Sequence, residues 1–234
     1  MPVITRDLLR KRAEHNEGMI STLEEVTLHQ EELENINEVL GMTCKKMKIL
    51  YLQNNIINKI ENLTHLKELE YLNLALNNIS KIEGLQNCEF LKKLDLTVNF
   101  IDVDNLESSM NNLASLDRLR DFYLMGNPAE ANWPNFKSYV IAKLPQITNL
   151  DGLEITRSMQ IIACQQLPSL TTELRELAME KRQDKAEKAR LKADGKKPKK
   201  KKAESRVIEL DDNDNEIVVE DVSSDEEDLP GSGE

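Results

Sequence analysis

The chain has 234 residues and a mass of 26.8 kDa, enough for one sizeable core, but its apolar share of 39% falls short of an ordinary globular composition, so part of it is expected to stay outside the folded body. Lys and Arg number 31 against 42 Asp and Glu, and the net charge of -11 argues against a general nucleic-acid binder. No run approaches the roughly 18 apolar residues of a membrane span, the N-terminus lacks the apolar core of a signal peptide, and Cys44, Cys88 and Cys164 are too few and too scattered for a disulfide framework or a zinc site.

An intracellular protein is therefore the expectation, and the sequons at Asn62 and Asn78 read as incidental. Residues 1–20 read as an N-terminal cap: the pattern predicts a helix over 5–17, with Thr5 as N-cap and Leu8, Leu9 and Ala13 available to cover a first coil. Residues 21–126 repeat. Met47, Leu50, Leu52, Asn55, Ile57, Ile60, Leu63 and Leu66 recur 22 residues later as Leu69, Leu72, Leu74, Asn77, Ile79, Ile82, Leu85 and Cys88, and a third copy begins Leu91, Leu94, Leu96, Asn99, Ile101. A degenerate copy precedes them (Leu23, Val26, Leu28, Leu33, Ile36), with Glu31 at the Asn position; a fifth follows six extra residues later (Leu119, Phe122, Leu124, Asn127). This is the leucine-rich repeat, and it predicts an α/β solenoid of about five coils whose short parallel strands line a concave sheet.

Each position has a physical reason. Side chains alternate across a strand, so Leu50 and Leu52 enter the core while Ile49, Tyr51 and Gln53 face outward. Asn55, Asn77, Asn99 and Asn127 stand where the chain bends inward, and a buried amide there can satisfy backbone groups that the bend leaves unpaired. Cys88 occupies a core leucine position and reads as a small buried hydrophobe.

Residues 127–152 read as the C-terminal cap: Phe136, Tyr139, Val140, Ile141 and Leu144 fall at helical spacing, Trp133 packs beneath them, and Asp151-Gly152 provides the turn out. In the helical extension, 153–194, a helix is expected from Thr156 to Leu167, a break at Pro168-Ser169, and a second helix with a narrow stripe of Leu170, Leu174 and Leu177. The charged stretch over 180–194 reads as a solvated helix or a short coiled coil, ended by Gly195. Residues 173–206 carry 14 basic and 7 acidic side chains, and residues 207–234 carry 12 acidic and no basic ones. The tail from 195 to 234 is expected to be disordered, with KKPKKKK at 196–202 and a hairpin formed by VIEL and IVVE. Ser223 and Ser224, each with an acidic residue three positions on, are candidate phosphorylation sites.

Nothing in the sequence resembles a catalytic or metal site. His15, His29 and His65 share no neighbourhood with a cysteine or a carboxylate pair at useful spacing, and no Gly-rich phosphate loop is present, so no enzyme, cofactor or small-molecule substrate is expected. What remains is a binding surface. The outward strand positions are Glu25, Thr27, His29; Ile49, Tyr51, Gln53; Tyr71, Asn73, Ala75; Lys93, Asp95, Thr97; Asp121, Tyr123, Met125; Leu76 and Val98 fall one residue beyond. Tyr and Met are enriched at interface centres. The predicted partner-binding set is His29, Ile49, Tyr51, Gln53, Tyr71, Asn73, Leu76, Asp95, Thr97, Tyr123 and Met125.

Several strings also resemble a known family: AEHN at 13–16, LHQ at 28–30, KILYLQNN at 48–55, KIENL at 59–63, EYLNLALNNI at 70–79, KLDLTVNFI at 93–101, YLMGNP at 123–128 and LPQITNLDG at 144–152. Together they resemble the tilB-type leucine-rich repeat proteins, over about residues 1–160, and include outward-facing residues that the repeat does not dictate. The resemblance implies a cytoplasmic protein of ciliated or flagellated cells that helps preassemble axonemal dynein arms. Its implied partners are dynein chains, co-assembly factors and chaperone machinery, and its implied places the cytoplasm, the cilium or flagellum and the basal body region. Longer members carry a p23-like co-chaperone domain after a charged helical stretch, and the resemblance stops short of it. The alternative is a nuclear leucine-rich repeat protein, of the acidic-tailed phosphoprotein type or the spliceosomal ribonucleoprotein type.

Overall fold

A computed structural model describes residues 2–13, 16–193, 208–210 and 216–218. The chain divides into two units, Met1–Glu187 and Lys188–Glu234. His15, the KKPKKKK string and both candidate phosphoserines lie outside the described residues.

The first unit is built on a seven-stranded sheet in chain order. Strands β1 (Glu25–Thr27), β2 (Ile49–Tyr51), β3 (Tyr71–Asn73), β4 (Lys93–Asp95), β5 (Asp121–Tyr123) and β6 (Asn149–Leu150) are parallel, and β7 (Leu153–Glu154) closes the series antiparallel to β6. The register places Val26, Leu50, Leu72, Leu94, Phe122 and Leu150 side by side, all buried. A fully buried Leu contributes about 1.5–3 kcal/mol, and this column recurs in every coil, so the core runs unbroken through the solenoid. The sheet exceeds the expected five strands because LPQITNLDG supplies β6 and the turn that leads into β7. Asp151 and Gly152 both take positive φ, 54° and 83°, which gives the tight turn between them.

The N-terminal helix α1 spans Arg6–Arg12, shorter than the expected 5–17, with the Thr5 hydroxyl accepting from the Leu8 N–H at 3.1 Å. It is tied to the first coil by Arg12, whose guanidinium donates to the Glu31 carboxylate, and by Ile4, whose carbonyl accepts from Asn37 at 2.8 Å. Glu31 thus replaces the repeat's asparagine with an anchor for the cap.

Two convex-side helices were not expected. Helix α2 is Glu38–Thr43, and α3, Val103–Leu113, takes up the six extra residues of the fourth interval. Asp102 caps α3 through the Val103 N–H at 2.8 Å, and Val103, Leu106, Met110 and Leu113 bury one face. Ser109, also buried, accepts from the Ile82 N–H at 3.1 Å and joins the helix to the coil before it.

Helices α4 (Pro128–Asn132) and α5 (Phe136–Lys143) form the C-terminal cap. Trp133 is buried, its ring 5.4 Å from that of Tyr139.

The expected break at Pro168 is corrected: α6 is one helix, Arg157–Ala193, with the proline inside it. Proline removes the helical hydrogen bond to Cys164 O and crowds the preceding turn, and three hydroxyls bond back to carbonyls of the turn around it. Ser169 donates to Gln166 O at 2.8 Å, Thr171 to Leu167 O at 2.7 Å and Thr172 to Pro168 O at 3.1 Å. Packing holds both sides of the proline, since Ala163, Leu170 and Leu174 are buried in the core.

Part of the stretch expected to be solvated is also docked. Arg175 forks onto Glu107 at 2.7 Å, Lys181 reaches Asp102 at 2.7 Å, and Lys185 reaches Asp104 at 2.6 Å, so α6 is fastened along acidic α3. The Arg175 hydrogen bond holds Glu107 below the usual carboxylate range. Burial raises Asp102, but Lys181, the Val103 N–H and Asn132 outweigh it and leave that carboxyl low too. In the second unit, β8 (Ile208–Leu210) pairs antiparallel with β9 (Glu216–Val218), which overlap the two strings read as a hairpin.

Candidate protein-binding site

The asparagine column sets the height of the binding face, because it fixes where each strand stops and the chain bends. Asn77 shows the pattern: its amide donates to Leu52 O at 3.0 Å in the previous coil and to Leu74 O at 3.1 Å in its own, while its Oδ1 accepts from the Ile57 N–H at 3.0 Å. Asn55, Asn99 and Asn127 repeat it one coil apart, and all four are buried. Beyond the last coil the part passes to Asp151, whose Oδ1 accepts from the Leu124 and Met125 N–H groups at 2.6 and 3.0 Å. Burial pushes that carboxyl above its ordinary value, and Lys137 stands 3.9 Å away.

The strands that these bends position present one connected cluster. Tyr51 and Tyr71 meet edge to face, ring centroids 5.5 Å apart. Lys93 lies between two rings, its Nζ 4.8 Å from the centroid of Tyr71 and 5.2 Å from that of Tyr123. Asn73 donates to the Tyr71 hydroxyl at 3.1 Å and accepts from the Ala75 N–H at 3.0 Å; Asp95 does the corresponding service for Thr97 at 3.0 Å. Burial holds the Tyr71 phenol above its ordinary value. The rings are thus ordered by one another and half-exposed, which lowers the entropy lost when a partner covers them.

The rest of the predicted set is distributed around this cluster. Ile49, Gln53, Asp95 and Thr97 are half-buried on the same sheet face; Leu76 and Met125 are 49% exposed at its edge. His29 is set apart, two residues past the end of β1, with a buried Nδ1 that has no hydrogen-bond partner among the described residues. Lys93, Val98 and Phe100 belong with the face but not to the predicted set. Lys93 reads from the sequence only as an outward strand position, and only the fold brings two tyrosines around it. For Val98 and Phe100 the available clue was an apolar side chain near a bend where other coils have Asn54 or Gly126.

The face offers aromatic, apolar and hydrogen-bonding groups. No group of three or more His, Cys, Asp or Glu suited to a metal occurs among the described residues. Cys88 is buried and its thiol is pushed up to about 11 by that burial, which leaves it protonated and inert.

Comparison with known proteins agrees with this architecture. The leucine-rich repeat family profile matches residues 3–178. "Dynein axonemal assembly factor 11" of Xenopus laevis is 52% identical over 209 residues, 88% of this chain and 44% of that protein. "Protein tilB" of Drosophila melanogaster is 51% identical over 168 residues, 71% of this chain and 41% of that protein. The chain therefore spans less than half the length of these relatives. Among solved structures, the Drosophila melanogaster SNF/U2A' complex contains a chain that superposes with a TM-score of 0.62 at 26% identity, over 74% of this chain and 99% of that one. With its repeats, both caps and the start of α6 inside the matched region, the chain belongs to the leucine-rich repeat family, and its relatives include the proteins named tilB and dynein axonemal assembly factor 11.

Proposed function

We propose that this protein is a non-enzymatic scaffold in the cytoplasmic preassembly of axonemal dynein arms, and that its concave face holds a dynein chain or a co-assembly factor. The observation that carries the reading is the ordered cluster of Tyr51, Tyr71, Lys93 and Tyr123 on the outward side of the sheet, in a chain about half identical to proteins named for dynein assembly. The resemblance to the tilB type also rests on outward-facing residues in strings such as LALNN and LTVNF, which the repeat leaves free to vary. Adjacent strands lie about 4.8 Å apart, so five span roughly 20 Å, room for one helix or extended segment rather than a whole dynein chain. Its expected places are the cytoplasm, the cilium or flagellum and the basal body region. Chaperone machinery is a further expected partner.

The test is removal of the protein from a ciliated or flagellated cell that makes it. Axonemes should lose dynein arms, with dynein chains retained in the cytosol; axonemes with full arms would contradict the proposal. A second reading, a nuclear ribonucleoprotein subunit, is favoured by the likeness to a chain of the SNF/U2A' complex. It requires the tagged protein to concentrate in the nucleus, where the first reading requires cytosol.

A further inference from the structure

The two ends of the strands differ in character. At the end where the strands begin, Glu24, Lys48, Glu70 and Lys92 alternate in sign, with Lys48 paired to Glu24 at 2.9 Å and Lys92 to Glu70 at 2.7 Å. At the end where they finish, the same lateral row is apolar. The residue just before each ladder asparagine takes a left-handed backbone: Asn54 at φ 58°, Leu76 at 56°, Val98 at 52° and Gly126 at 74°. Asn and Gly accept that conformation readily; leucine does so poorly and a β-branched valine worst of all. Leu76 and Val98 are also 49% and 46% exposed, beside Met125 at 49% and Phe100 at 58%. At these two bends the residue held in the left-handed conformation is itself a wetted apolar side chain, where the bends before and after them place Asn54 and Gly126. Two independent costs at the same positions mark a surface kept for something other than folding.

The surface is a groove. Leu76, Val98 and Phe100 line an open depression of about 760 Å³ with Pro128 and Ala131. Gly126 keeps it open, since a Cβ there would lie 3.0 Å from Val98 Cγ2. Successive coils place the apolar side chains about 4.8 Å apart. Residues three and four apart on an α-helix rise about 4.5–6 Å, whereas same-face residues of an extended strand are spaced by about 6.6 Å; the helix fits the coil repeat better. On the sheet face that leads to the groove, the outward strand positions hold three carboxylates, Glu25, Asp95 and Asp121, against a single lysine, Lys93, whose ammonium is already taken up by two rings.

The geometry points to an amphipathic α-helix of a partner protein as the occupant, its apolar stripe over Leu76, Val98, Phe100 and Met125 and its basic flank turned to Asp95 on the adjoining sheet face. This deepens the scaffold reading and rests on it, by naming the class of segment recognised. The probe is a fluorescent peptide of about 18 residues, roughly five helical turns, with leucines at helical spacing and lysines elsewhere, titrated into the full chain. Two counterparts accompany it, one with glutamates for the lysines and one with prolines that abolish the helix. Both should bind at least about tenfold more weakly. The Leu76→Asn, Val98→Asn variant places at both bends the residue that Asn54 already uses. It should weaken the lysine peptide by about tenfold or more while melting at or above the wild-type temperature. Unchanged binding by the variant would overturn the proposal, since the peptide would then sit on acidic sequence elsewhere. So would a clear fall in melting temperature, which would make the two side chains structural. Equal binding of the proline peptide would overturn the helix, and equal binding of the glutamate peptide the basic flank. Any of these, with dynein arms still lost on removal of the protein, leaves the assembly reading standing and the site elsewhere.

Discussion

Replacing Asn77 by leucine puts the ladder to a quantitative test, because the hydrogen bonds say which backbone groups would be stranded. Asn77 serves four: Leu52 O, Leu74 O, Ala75 O and the Ile57 N–H. All three carbonyls keep a second donor, Leu52 O from Asn55 at 2.9 Å, Leu74 O from Asn99 at 2.9 Å and Ala75 O from the Asn54 N–H at 2.9 Å. Only the Ile57 N–H is orphaned, at about 1–3 kcal/mol, and each carbonyl loses a bond worth about 0.5–1 kcal/mol net. The sum is about 2.5–6 kcal/mol, which in a folded unit of this size lowers the melting temperature by roughly 5–25 °C. Asn55→Leu should cost more. Asn55 Oδ1 accepts from two N–H groups, Glu31 and Leu33, and its amide supplies the donor to Leu28 O, for which no second one appears among the described residues. Thermal unfolding followed by circular dichroism measures both, and hydrogen exchange at the Ile57 amide should quicken in Asn77→Leu. An unchanged melt for Asn77→Leu, or a smaller loss for Asn55→Leu, would refute the reasoning.

Other parts of the structure give sharper tests of single features. Gly84 has φ 75°, and a Cβ there would stand 2.3 Å from Ile60 O, so Gly84→Ala should destabilise by roughly 2–4 kcal/mol in urea unfolding; a tolerated alanine would contradict the close approach of the two coils. Pro168→Ala restores a helical N–H in the exposed side of α6 and should stabilise by about 1–3 kcal/mol, whereas a loss in the same assay would mean that the proline shapes the docking. The Glu107–Arg175 pair sets a pH dependence: Glu107 is held below its unfolded value, so its contribution is full above the unfolded carboxylate range and is lost as the pH falls through the folded value. Acidification from about pH 5 to about pH 3 should therefore raise hydrogen exchange in α6 over residues 175–186 before the strands respond, and simultaneous exchange would reject it. Asp151, held high by burial, runs in the opposite sense and loses its contribution as pH rises, so it cannot produce this transition.

The repeats were legible because each coil spends the same residue types on the same jobs: Leu50, Leu72 and Leu94 in one core column, Asn55, Asn77 and Asn99 in one ladder. Sequence spacing alone carries that information, since every coil meets only its neighbours. The helices α2 and α3 were less visible, because a convex segment of a coil needs apolar residues every three or four positions whether it is helical or extended. In α3 the run Val103, Leu106, Met110, Leu113 held the helical period, yet it was hidden in what looked like an insertion. The continuity of α6 could not be read locally. Proline and the charged run argue for a break and for solvation, and what overrides them is Leu170, Leu174 and ion pairs to Asp102, Asp104 and Glu107, 68 to 81 residues away in the chain. On the candidate site, alternation placed the tyrosines outward, but the ring-to-ring contacts and the strain at Leu76 and Val98 exist only once the coils are stacked.

The central claim is that an ordered aromatic face, and not the solenoid as such, does the work of assembly. It is tested by rescue in a ciliated or flagellated cell lacking the protein, comparing wild type with the Tyr51→Ala, Tyr71→Ala variant at matched expression and scoring dynein arms on the axonemes by electron tomography. The edge-to-face pair and the Asn73 hydrogen bond are together worth about 1–2 kcal/mol, so the variant should stay folded with only a slightly lower melting temperature. The account predicts that wild type restores the arms and that the folded variant does not; arms restored in full by the variant would contradict it.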